Sequence, residues 1–157
     1  MASRRKGRIL AFQALYSWDL VYRHTGKAEV PDGLLDFSWL EKKTSPGGEK
    51  KPLLDEETAA FSRLLVGGTI ENIKTIDETI IAHLQNWDIS RLNRVDLAIL
   101  RMSVYSLNFQ GDIDPSIVIN EAIGISREFG TEDSYRFING VLDSVHRFLH
   151  EKNDKPL

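Results

Sequence analysis

The residues best suited to chemistry lie near the start of the chain, where four cations are followed by an amide and an aromatic ring. Cations bind backbone phosphates, rings stack on bases and amides read base edges, a combination typical of single-stranded RNA recognition. The set comprises Arg4, Arg5, Lys6, Arg8, Gln13 and Tyr16. Four phosphate contacts predict a log–log salt slope of about −3, from roughly −0.7 per contact. The alternatives are a solubilising basic tip and a core position for Tyr16.

Charge is distributed unevenly along the chain. The formal net charge is −3, yet residues 1–27 hold six lysines or arginines and one acid, a net +5. The other 130 residues therefore carry −8. A local basic patch matters more for nucleic-acid binding than the summed charge. Helical spacing predicts that Arg4, Arg5 and Arg8 cluster on exposed first turns.

Catalytic and metal-binding patterns are absent from the sequence. There is no cysteine, which excludes disulfides and thiolate metal sites and suits a reducing cytoplasm. His146 and His150 are four residues apart, but no third ligand accompanies them, so exposed histidines are expected rather than a metal site. No glycine-rich phosphate loop, nucleophile elbow or membrane-spanning apolar run occurs. We therefore expect no enzymatic activity, cofactor, metal or membrane association.

Apolar residues recur at helical spacing, and no convincing period-two pattern appears, so the sequence predicts an all-α fold. The helix around Arg91 to Phe109 is apolar on two sides, which is typical of a central helix. Gly67 and Gly68 predict a close helix contact or a bend. A single domain is expected over 1–157, with a basic tip at 1–8 and a flexible, Gly- and Pro-containing insertion at about 36–54. The predicted helices are about Ser3 to Arg23, Asp55 to Gln85, Arg91 to Phe109, Pro115 to Phe129, and one that starts at Asp133 or Ser134.

The stretch "REFGTEDSYRFINGVLD" reads as a helix that stops at Gly130, followed by a new helix. It could also be a helix-turn-helix. A DNA-reading second helix needs several polar and basic side chains at its start. Only Arg136 is cationic there, and Glu132 and Asp133 precede it, so DNA binding is disfavoured.

Four stretches together resemble the NusB family of bacterial transcription antitermination factors, over about 9–22 and 60–148. The resemblance implies an all-helical fold of two three-helix subdomains packed roughly perpendicular. It also implies pairing with NusE, a small-subunit ribosomal protein, and binding of boxA RNA. The complex is then loaded with other Nus factors onto RNA polymerase, which reads through terminators, notably in ribosomal RNA operons. The stretches are "RILAFQALYSWDL", "RVDLAILRMSVYSL", "PSIVINEAIGISREFG" and "EDSYRFINGVLD".

The resemblance also implies which residues face the RNA. They are the N-terminal cations, the tyrosine of "ALYSW", the loop after the fifth helix and the basic-aromatic pair that follows it. Asp133 would be unfavourable beside phosphate, so Asp133→Asn is expected to tighten RNA binding. Matched onto this sequence, the residues are Arg4, Arg5, Lys6, Arg8, Tyr16, Phe129, Gly130, Glu132, Asp133, Ser134, Arg136 and Phe137.

The NusE surface implied by the resemblance includes the "RVDLAILR" helix, with Asp96 as the main candidate beside Arg94 and Arg101. An acid facing a basic ribosomal protein suits electrostatic complementarity. The alternative is that Asp96 is merely solvated. Two other functions stay open: a helical RNA-binding module related to the N-terminal domain of ribosomal RNA methyltransferases, and a helical module that binds only protein. A homodimer is kept as an alternative to a monomer.

Overall fold

The structure, a computed structural model, describes residues 3–37, 54–86 and 88–154, with side chains up to 151. Within these ranges the chain forms six α-helices, one short 3-10 helix and no strand, which confirms the all-α prediction. No helix within them is long and apolar enough to cross a membrane. The helices are α1 (Arg4–Thr25), α2 (Glu56–Glu71), α3 (Ile73–Ala82), the 3-10 helix (Ile89–Arg91), α4 (Arg94–Phe109), α5 (Pro115–Phe129) and α6 (Ser134–Asp154).

The centre of the fold is α4, which packs against each of the other five α-helices. Every residue from Asp96 to Ser106 is buried, which explains why its sequence is apolar on two sides. The α1–α2 and α5–α6 pairs make the other extensive helix contacts. This grouping agrees with two helical subdomains, and their mutual angle stays a prediction.

Two predicted helix starts are confirmed by their caps. The Asp55 carboxylate accepts a hydrogen bond from the Thr58 backbone N–H at 2.7 Å. The Asp114 carboxylate accepts one from the Ser116 backbone N–H at 2.8 Å, and Pro115 occupies the first helical position. Side-chain acceptors satisfy amides that a helix leaves unpaired at its N-terminus.

The prediction of one continuous helix from Asp55 to Gln85 is wrong, because the helix breaks at Asn72. The Asn72 side chain and its own backbone N–H both donate to the Gly68 carbonyl, at 2.8 and 3.1 Å. This local bonding ends α2 at Glu71, and α3 begins at Ile73. The predicted close contact lies one turn earlier, where a Cβ added to Gly68 would overlap the Tyr105 ring.

The predicted insertion at about 36–54 lies mainly outside the described residues, but its two ends are anchored. Phe37 is buried in a small cluster with Leu10 and Ala59, and Leu54 packs against the same cluster. Residues 37 and 54, which border the undescribed part, therefore lie close to each other beside α1 and α2.

Candidate nucleic-acid interface

The N-terminal half of α1 packs against α5. The ring centroids of Phe12 and Phe129 are 5.1 Å apart, with the rings tilted by 60°. The Arg5 guanidinium lies 3.2 Å from the Glu128 carboxylate and 3.7 Å from that of Glu121. Exposed ion pairs contribute little stability. These pairs nevertheless place the basic segment beside the loop that follows α5.

The arginines of α1 contact two different helices. Arg5 pairs with carboxylates of α5, whereas Arg4 and Arg8 contact a ring of α2. The guanidinium carbons of Arg4 and Arg8 lie 4.4 and 5.3 Å from the ring centroid of Phe61 on α2. Arg8 is only 6% exposed, and this burial lowers the pKa of its guanidinium, although an arginine remains charged at neutral pH. The prediction that Arg4, Arg5 and Arg8 share exposed turns is therefore wrong for Arg8. Arg4, Arg5 and Lys6 are exposed.

Tyr16 is a surface residue, so the alternative that placed it in the core is wrong. Its side chain is 39% exposed, and Leu20 one turn later is 43% exposed. Gln13 is half-buried on the preceding turn. Part of the apolar face of α1 is therefore exposed to solvent. Tyr16 presents a ring there that a base could stack on.

The loop between α5 and α6 is held by its own hydrogen bonds. Gly130 ends α5 as predicted, with its N–H donating to the Ser126 carbonyl at 2.8 Å. The buried Ser134 hydroxyl accepts a hydrogen bond from the Thr131 N–H at 2.9 Å. A Cβ at position 130 would lie 2.6 Å from that hydroxyl, so only glycine fits without rearrangement.

The side chains of this loop divide into a supporting and an exposed group. Ser134 is buried and Phe137 is half-buried, so they hold the loop in place. Phe129, Glu132, Asp133 and Arg136 are exposed and available to a ligand. The Tyr135 hydroxyl raises the pKa of the Arg136 guanidinium, and the charge of the nearby Asp133 adds a smaller effect in the same direction.

Asp96 lies beneath this loop, not on an exposed surface. It is 6% exposed, and its Oδ1 is buried without a hydrogen-bond partner. Burial raises the pKa of its carboxyl, and a hydrogen bond from the Ser134 hydroxyl opposes that rise. This burial corrects the expectation of an acid presented directly to NusE, and it also contradicts the solvated alternative. Asp96 instead supports the loop through Ser134 and Thr131.

Arg101 belongs to a buried ion cluster. Its guanidinium donates to both carboxylate oxygens of Asp77 at 2.9 Å and to Asp19 at 2.8 Å. Burial lowers its pKa, but the two carboxylates outweigh that effect and the net direction is upward. With 4% exposure, Arg101 cannot line a partner surface as predicted. Arg94, 3.6 Å from Asp19, keeps 23% of its side chain exposed.

Sequence reasoning missed the carboxylates that hold these cations. Asp19 interrupts an otherwise apolar face of α1, and a lone acid in such a position signals a buried partner. Glu121 and Glu128 are seven residues apart and so share one face of α5. The sequence does not indicate that Phe61 contacts arginines, because aromatic residues in amphipathic helices are ordinary core residues.

These features define a class: small all-helical proteins in which a first helix with a basic start contacts a polar interhelical loop. A model described as the NusB family matches residues 5–147, and the chain belongs to that family. The transcription antitermination protein NusB of Treponema denticola is 51% identical over 142 residues, covering 90% of this chain and 94% of the relative. The corresponding protein of Treponema pallidum strain Nichols is 47% identical, covering 90% and 91%.

Solved structures agree with this assignment. NusB of T. maritima superposes with a TM-score of 0.73 at 31% identity, covering 94% of this chain and 93% of the other. A chain of a crystal structure of the antitermination factors NusB and NusE in complex with double-stranded RNA matches with a TM-score of 0.72 at 27% identity, covering 92% and 96%. The predicted family and fold are confirmed.

Proposed function

We propose that this chain is a non-enzymatic transcription antitermination factor of the cytoplasm. It binds boxA-type single-stranded RNA together with NusE and, through other Nus factors, lets RNA polymerase read through terminators, notably in ribosomal RNA operons. Family membership carries the proposal, because the relatives are named transcription antitermination proteins. The solved complex of NusB and NusE with RNA supports NusE and RNA as the two partner classes, and the RNA in that complex is double-stranded.

The proposed RNA surface joins the start of α1 to the loop after α5. The Phe12–Phe129 contact supports it by bringing the two segments together. Tyr16 offers a stacking ring, and the exposed residues of the loop lie beside Phe129. Ser134 and Phe137 belong to this surface as supports rather than as RNA contacts. The proposed residues in contact with RNA are Arg4, Arg5, Lys6, Gln13, Tyr16, Phe129, Gly130, Glu132, Asp133 and Arg136.

The cations that we propose in direct phosphate contact differ from those that the sequence suggested. Arg8 is buried over Phe61, so it supports α1 instead of reaching a phosphate. Arg5 forms ion pairs with Glu121 and Glu128, and these pairs must break before its guanidinium can bind a phosphate. Contacts from the exposed Arg4, Lys6 and Arg136 alone give a log–log salt slope of about −2, and recruitment of Arg5 brings it to about −3.

The NusE surface that we propose includes the start of α4, with the half-buried Arg94 as the most accessible of the three predicted residues. Asp96 and Arg101 are buried beneath this surface and stabilise it. Asp96 supports the α5–α6 loop through Ser134, and Arg101 links α4 to α1 and α3. We further propose that residues 1–157 form one domain, with 36–54 inserted in it. Contacts of α4 with all five other helices support this proposal.

The proposal is tested by fluorescence anisotropy with a short boxA-type RNA and a scrambled RNA of equal length, with and without purified NusE. The expected result is selective binding that NusE strengthens. An Arg4→Ala/Lys6→Ala double variant should weaken binding. The matched control, Lys74→Ala/Arg147→Ala, removes the same charge at exposed positions on α3 and α6. Equal binding of both RNAs and no effect of NusE would overturn the proposal.

A further inference from the structure

A pair of arginines shares one tyrosine ring beside the α5–α6 loop. The guanidinium carbon of Arg127, on the last turn of α5, lies 4.6 Å from the ring centroid of Tyr135. The guanidinium carbon of Arg136 lies 5.5 Å from the same centroid, and its Nε donates to the Tyr135 hydroxyl at 3.0 Å. Neither Arg127 nor Tyr135 was among the residues that the sequence assigned to RNA.

The arrangement is preorganised for anions. A ring face attracts a guanidinium while leaving its N–H donors directed outward, and it restricts the motion of a side chain that otherwise loses much entropy on binding. Both arginines are exposed and Tyr135 is half-buried, so the ring is fixed while the cations face solvent. Planar guanidinium groups bind phosphate with two parallel hydrogen bonds.

The position of the trio connects it to the proposed RNA surface. Arg127 precedes Phe129 by two residues, and Tyr135 follows the loop that Phe129 begins. The helical positions of Arg127 and Phe129 differ by about 200°, so the trio lies on the side of the loop away from α1. The α5–α6 loop, which belongs to the proposed surface, therefore lies between the trio and α1.

We propose that Arg127, Tyr135 and Arg136 form a phosphate-binding cluster that takes the RNA backbone on the far side of the α5–α6 loop. This inference rests on the proposed function and extends its RNA surface. Arg127 and Arg136 contact phosphate oxygens, and Tyr135 positions both guanidinium groups. Asp133 limits the cluster's affinity, since its negative charge acts on Arg136 in the absence of RNA.

The competing explanation is mechanical: Arg127 on the Tyr135 ring simply fastens α5 to α6. The salt dependence of RNA binding separates the two explanations, because a fastening role adds no phosphate contact. Arg127→Ala should weaken boxA-type RNA binding several-fold and make the log–log salt slope shallower by about 0.7. Tyr135→Phe keeps the ring and should weaken binding less than Tyr135→Ala does.

The matched control is Arg147→Ala, which removes an exposed, ion-paired arginine further along α6. It should leave both affinity and salt slope unchanged, while circular dichroism melting reports whether each variant is folded. Unchanged affinity and slope in Arg127→Ala, with the unaltered protein still binding RNA selectively, would overturn the cluster and leave the proposed function standing. A weaker affinity with an unchanged salt slope would assign the mechanical role instead. Failure of the unaltered protein to bind RNA would overturn both.

Discussion

The rings of Phe12 and Phe129 lie 5.1 Å apart and join α1 to the last residue of α5. Tilted aromatic pairs at this distance contribute about 0.5–1.5 kcal/mol beyond their buried area. The pair is placed between the exposed ring of Tyr16 and the loop that starts at Gly130. Two distant sequence segments thereby become one surface, and the account of RNA binding depends on this contact.

Gly68→Ala should destabilise the fold, because its Cβ would overlap the Tyr105 ring at the α2–α4 contact. Overpacking of this kind costs about 1–3 kcal/mol in the free energy of unfolding, measured by urea denaturation. Gly67→Ala is the control, since nothing lies within 4 Å of its added Cβ. It should be neutral or stabilising by up to about 1 kcal/mol. Equal effects of the two substitutions would contradict the close helix contact.

Arg101→Ala should lower the free energy of unfolding by about 3–5 kcal/mol, because it leaves the Asp19 and Asp77 carboxylates without their principal partner. The exposed Arg147 pairs with Asp143 on its own helix, so Arg147→Ala should change the same quantity by less than about 1 kcal/mol. A similar loss in both variants would show that the buried cluster does not hold α1 and α3 to α4.

Asp96 should make stability depend on pH. Burial raises the pKa of its carboxyl in the folded protein above its ordinary value, so between those two pKa values the folded state keeps a proton that the unfolded chain has lost. The contribution of this group is therefore present at low pH and is lost as the pH rises through the raised pKa. Urea denaturation of the unaltered protein and of Asp96→Asn across that range measures it. The unaltered protein should lose stability relative to Asp96→Asn with rising pH, and an opposite trend would refute the burial argument.

Asp133→Asn should tighten RNA binding, because it removes a negative charge that lies beside the Arg136 cation and faces the phosphates. The dissociation constant for boxA-type RNA, from anisotropy at two salt concentrations, should fall, and the effect should shrink at high salt as screening increases. Asp112→Asn serves as a control in the exposed turn before α5. An unchanged or weaker affinity for Asp133→Asn would remove Asp133 from the RNA surface.

Local sequence signals predicted the elements whose causes are local. The caps at Asp55 and Asp114 lie within three residues of the amides that they satisfy, so composition and spacing were sufficient. The central position of α4 in the fold was predicted from the apolar residues on two sides of that helix. The break at Asn72 is also local, but an asparagine within an apolar helical pattern resembles an ordinary exposed position, and the pattern continued across it.

Site residues were predicted less well, because their environment depends on distant segments. Arg8 is buried by Phe61, more than fifty residues later in the chain, and its spacing from Arg4 carried no sign of that contact. Asp96 and Arg101 were predicted on the NusE surface from the family resemblance, which does not show how deeply each side chain is buried. Their partners come from α1, α3 and the α5–α6 loop, and only the packed structure brings these together.

The central claim, that the start of α1 and the α5–α6 loop form one RNA surface, is tested most directly by NMR titration of the ¹⁵N-labelled protein with boxA-type RNA. The account predicts that the largest backbone amide shifts occur near Lys6, Tyr16 and Gly130 to Arg136. Residues around His83 and Ser144, which are hydrogen-bonded to each other at 2.7 Å outside the proposed surface, should be unaffected. Shifts confined to the His83 region, or to only one of the two predicted segments, would contradict the claim.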